Sequence, residues 1–72
     1  MMSAQTMNKC LRASRRYHNK ALKYIEQGLK ETDQAKREKL AQLAQGCFSQ
    51  SHHFSDMIMN DIREEELEND NQ

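Results

Sequence analysis

Apolar and small residues recur along the first part of the chain at Met7, Cys10, Leu11, Ser14, Tyr17, Ala21, Tyr24, Ile25, Gly28 and Leu29. Steps of three and four mark one face of a helix, because 3.6 residues complete a turn. A second run has the same rhythm: Leu40, Leu43, Ala44, Cys47, Phe48, Ser51, Phe54, Ile58 and Ile62. Neither run alternates with period two, so strands are disfavoured. Helices are expected over about residues 5–28 and 33–67, with a loop at about 29–32 and a frayed tail at 68–72.

The break lies in "QGLKETDQAKREKL". Gly28 can end the first helix in the left-handed conformation, or sit inside it at about 1 kcal/mol relative to Ala. Thr32 or Asp33 can cap the next helix by accepting its first free amides, and Asp33 also suits the positive end of the helix dipole. So short a loop folds two helices back antiparallel. Ser49, Ser51 and Ser55 in "SQSHHFS" lower helix propensity, and a third short helix starting near Ser51 or Ser55 is the alternative to a continuous second helix. The period crosses that region without a phase shift, which favours continuity. The fold class is therefore all-α: an antiparallel two-helix hairpin in a single domain.

Size changes this picture. A chain of 72 residues buries only about 60% of the surface its unfolded form exposes, so a lone core is marginal. Two helices hide one stripe each, leaving part of Leu11, Leu22, Ile25, Leu29, Phe48, Phe54, Met57 and Met59 exposed in a monomer. A dimeric helical bundle of two hairpins would cover them, as would another protein, for which methionines and aromatics are suitable contacts. The expected function is a non-enzymatic protein-binding regulator, an adaptor, co-chaperone or inhibitor, that occludes its partner. Phe48, Phe54, Met57 and Ile58 are the expected anchors; Arg15, Arg16, Glu64, Glu65 and Glu66 would set orientation.

Composition supports helices: there is no Pro, and the chain is 36% hydrophobic and 31% charged with zero net charge, which argues against disorder. The zero hides a dipole. Residues 1–30 hold seven cations against one acid, net +6, whereas residues 31–72 hold four cations against ten acids, net −6. Folding at the loop sets residue i opposite about 61 − i and brings opposite charges to one end of the hairpin. The stretch "CLRASRRYHNKALKY" then reads as a solvated, partly ion-paired face. The alternative is a nucleic-acid-binding transcriptional regulator using Arg12, Arg15, Arg16, Lys20 and Lys23; a net-basic footprint is usual for that role, and the ten acids of the second half count against it.

Chemistry has few carriers. Cys10, Cys47 and His52 come near one another in that register, but the paired short spacings of zinc sites are missing, and both cysteines lie on the apolar stripe as small hydrophobes. His52 and His53 diverge by about 100° on a helix and cannot share a ligand. No catalytic residue, metal or cofactor is expected. No leader-like segment follows Met1 and no 18 apolar residues run together, which points to a cytoplasmic chain with reduced thiols and no membrane contact.

Overall fold

The computed structural model describes residues 2–70, with side chains as far as residue 65. Two helices, α1 (Ala4–Lys30) and α2 (Gln34–Asp70), pack against each other as an antiparallel hairpin, a slab of 59 × 20 × 12 Å. Ser3 caps α1: its Oγ accepts from the Thr6 amide at 3.1 Å. Asp33 opens α2, its Oδ1 accepting from the Ala35 amide at 3.0 Å and its carbonyl from the Arg37 amide. Between them residues 31–33 form a three-residue connection in which the Glu31 carboxylate accepts from the amides of Thr32 and Asp33, both at 3.1 Å.

The expected continuity of the second helix holds, Gly28 takes one of its two expected roles, and the helix ends differ from those expected. Gly28 has no positive φ and lies inside α1, which runs on to Lys30 and ends at an extended Glu31. α2 passes unbroken through Ser49, Ser51 and Ser55, so no third helix starts there. It also continues to Asp70, past the expected end at residue 67, and residues 71–72 lie outside the described part.

The seam between the helices keeps a strict four-three spacing. On α1 it is Met7, Cys10, Ser14, Tyr17, Ala21, Tyr24 and Gly28; on α2 it is Leu40, Ala44, Cys47, Ser51, Phe54, Ile58, Asp61 and Glu65. All are buried or half-buried. A seven-residue repeat sustained this long holds one edge of each helix against its partner, as in a coiled coil. Seven of these fifteen residues are glycine, alanine, serine or cysteine; Cys10, Ala21, Ala44 and Ile58 are the buried apolar members, and no large side chain of the seam is fully buried. Tyr17 stacks on Phe54 with ring centroids 6.0 Å apart and an 11° interplanar angle.

Ser14, Ser51 and Ser55 form a polar layer within that seam. Ser14 Oγ donates to the Ser51 carbonyl at 3.1 Å and lies 3.1 Å from Ser51 Oγ and 2.8 Å from Ser55 Oγ. A hydroxyl has one proton and two lone pairs. With Ser14's proton committed to the carbonyl, Ser51 and Ser55 donate to it, and its capacity is filled. At the far end, the Met2 amide donates to Asp61 Oδ1 at 2.9 Å and ties the start of the chain to α2.

These contacts correct the register. Ser14 with Ser51, His18 with Phe48 and Gly28 with Leu40 set residue i opposite about 66 − i instead of 61 − i. The connection lies at residues 31–33 instead of 29–32, and the pairing moves by about five residues, roughly 7 Å along the axis.

Candidate functional site

The register separates groups that the sequence had brought together. Cys10 now faces the region of residue 56, nine residues past Cys47, or roughly 13 Å along α2 at 1.5 Å per residue. Both cysteines are free. Among the described residues no three His, Cys, Asp or Glu side chains converge on a metal position. His52 and His53 are both exposed, and His18 sits at the rim of the seam with its ring 5.5 Å from that of Phe48.

The four expected anchors do not form one patch. Ile58 is buried in the seam and Phe54 is half-buried there against Tyr17, so both are used inside the hairpin. Phe48 is half-buried at the rim beside His18. Met57 is exposed, but its spacing of fourteen residues from Leu43 sets it on the opposite broad side, the side where Leu43 lines a groove with Gln27 and Lys36. Glu64 shares Met57's side and is exposed, Glu65 is half-buried, and the side chain of Glu66 lies outside the described residues.

Large apolar side chains are exposed instead along a second run on α1. Leu11, Leu22, Ile25 and Leu29 are 40 to 76% exposed. With Arg15 and His18 they repeat the four-three spacing one residue out of phase with the seam, so they form a continuous flank beside it. The His18–Phe48 contact shows which flank of α2 lies on the same side: the one carrying Ala41, Phe48 and Ile62, with Met59 beyond it. A groove of about 190 Å³ between Ile25, Leu29, Arg37 and Ala41 marks this side near the connection. The sequence carries a signal for it, because the steps from Leu11 to Leu29 are as regular as those of the seam; the two stripes overlap and merge into one broad apolar run along the chain.

The basic residues divide as well. Among the described residues no ion pair joins Arg12, Arg15 or Arg16 to a carboxylate, and the side chains of Glu66 and Glu68 in the expected acidic cluster lie outside them. Arg15 follows Ser14 onto the apolar flank. Arg12, midway between the seam residues Cys10 and Ser14, points away from α2 along the outer edge. Arg16, Lys20 and Lys23 line a groove with Asn19, Tyr24 and Gln27 on the side opposite the apolar flank. The five residues of the basic stretch thus occupy three different surfaces. No described helix is long and apolar enough to cross a membrane. No family model, curated protein or solved structure matches this chain.

Proposed function

We propose that this hairpin is a small non-enzymatic regulator that works by binding protein through its apolar broad face. One observation carries the reading: the fully packed apolar part of the seam is confined to Cys10, Ala21, Ala44 and Ile58, while Leu11, Leu22, Ile25, Leu29, Met59 and Ile62 are turned outward. That is the reverse of what a hairpin stable by itself needs. Each of those side chains stabilises by about 1.5–3 kcal/mol when fully buried, and about half of that is unrealised in the isolated hairpin. An occupant with its own helical three-four apolar stripe fits the long, shallow shape. In the free protein a second copy takes that place, giving a four-helix bundle, and a target with a better-fitting stripe displaces it and is itself occluded.

Sedimentation of the intact chain and of a Leu22→Glu, Ile25→Glu variant tests this. The parent is expected to sediment above its 8.5 kDa monomer mass, and the helical variant as a monomer. A parent that is monomeric and binds no apolar dye would overturn the reading.

A further inference from the structure

We propose that the opposite broad face binds the phosphate backbone of double-stranded nucleic acid. It carries two grooves that meet at Gln27. One, of about 550 Å³, is lined by Arg16, Lys20 and Lys23; the other, of about 520 Å³, by Lys30, Lys36 and Lys39 around a floor of Leu40 and Leu43. The steps 16, 20, 23 and 30 keep four cations on one side of α1, and the tight connection turns Lys36 and Lys39 of α2 onto the same side. Six cations therefore follow one surface over roughly 21 Å from Arg16 to Lys30, at 1.5 Å per residue.

One acid, Glu31, lines these grooves, and its carboxylate is held by the Thr32 and Asp33 amides. Glu26, Glu38, Asp56, Asp61, Glu64 and Glu65 line neither. Zero net charge is thus a sum over surfaces of different character, and charges more than about 10 Å away are largely screened at 0.1 M salt.

The chemistry of the face selects its ligand. Peripheral membrane helices set their cations beside a continuous apolar stripe; here Leu43 and Met57 are the large apolar side chains exposed on this side among the described residues, and the continuous flank of Leu11, Leu22, Ile25 and Leu29 lies on the other side of the slab, where it cannot engage the same membrane. Protein interfaces are depleted in lysine at their centres, and five of these six cations are lysines, point charges suited to phosphate. Tyr24 is the one aromatic in the grooves and is half-buried, so there is no platform for stacking unpaired bases. A duplex carries one phosphate charge per about 1.7 Å of axis, so a 21 Å stretch presents about twelve, twice what the cations need. Contacts of this kind hold the backbone without reading sequence.

Fluorescence anisotropy of a labelled duplex DNA of arbitrary sequence, titrated with the intact protein at several salt concentrations, tests the proposal. Binding is expected at low salt, with log affinity falling against log salt with a slope of about −5. Lys20→Glu with Lys23→Glu should weaken binding at least about tenfold, and the milder Lys20→Gln, Lys23→Gln pair should reduce the slope by about 2. Arg12→Glu with Arg63→Glu changes the charge equally but on the outer edges, and should alter affinity by less than about threefold. Helical circular dichroism confirms that each variant folds. Absence of a complex at low salt, equal weakening by both charge-reversed pairs, or equally tight binding of polyglutamate or anionic vesicles would overturn it.

Discussion

Replacing Ser14 by Ala removes the one atom on which three hydrogen bonds of the seam converge: to the Ser51 carbonyl at 3.1 Å, from Ser51 Oγ at 3.1 Å and from Ser55 Oγ at 2.8 Å. At about 1 kcal/mol net for each, simple addition would give about 3 kcal/mol. Two effects reduce that figure. The Ser51 and Ser55 hydroxyls can each turn back to the carbonyl four residues earlier, on Cys47 and on Ser51, so neither is left without an acceptor. Alanine also favours the helix by about 0.5 kcal/mol over serine. The expected net loss is about 1 kcal/mol, a fall in Tm of roughly 4–8 °C for a chain of this size. Urea and thermal unfolding followed by circular dichroism, at one fixed protein concentration because association shifts apparent stability, would measure it. The triple variant with Ser51→Ala and Ser55→Ala added should be no less stable than Ser14→Ala, since it leaves no hydroxyl in the seam to satisfy. A Ser14→Ala protein as stable as the parent, or a triple variant much weaker than the single one, would refute the assignment of Ser14 as the saturated centre of the layer.

Gly46→Ala should stabilise the fold by up to about 1 kcal/mol, because a Cβ at this helical position meets nothing within 4 Å; Gly28→Ala should also stabilise, its methyl resting 3.8 Å from Leu40 Cβ, and chemical denaturation compares the two. Mild oxidation should leave Cys10 and Cys47 of the same chain unlinked, since their axial offset of roughly 13 Å exceeds the 7 Å Cα limit for a disulfide; a fast intramolecular bridge seen by mass spectrometry would contradict the register.

Much of this molecule could be read from residue order alone. The three-four spacing and the lack of proline determined two helices, and Thr32 and Asp33 narrowed where the second begins to two positions, because capping and periodicity are local properties that act within a turn or two. Even the seam residues were legible, from Met7 and Cys10 to Ile58. Three things needed the packed pair. Register was decided by how far α1 continues past Gly28, since a glycine can either stop a helix or ride inside it and only the contact with Leu40 settles which; that displacement separated Cys10 from Cys47. The division of one broad apolar stripe into a seam and a flank was decided by the rotation of each helix about its axis, which periodicity leaves free because Leu11 is as periodic as Cys10. Small residues such as Cys10, Ser14, Ala21, Ala44 and Ser51 let the two helices approach and the serine layer close, while Leu11, Leu22, Ile25 and Leu29 were turned outward. Charge followed from the same rotation. A chain of zero net charge became a slab with the continuous apolar flank on one side and the Arg16, Lys20 and Lys23 groove on the other, because summed charge carries no direction and the angular positions of these cations acquire one only when α2 is in place.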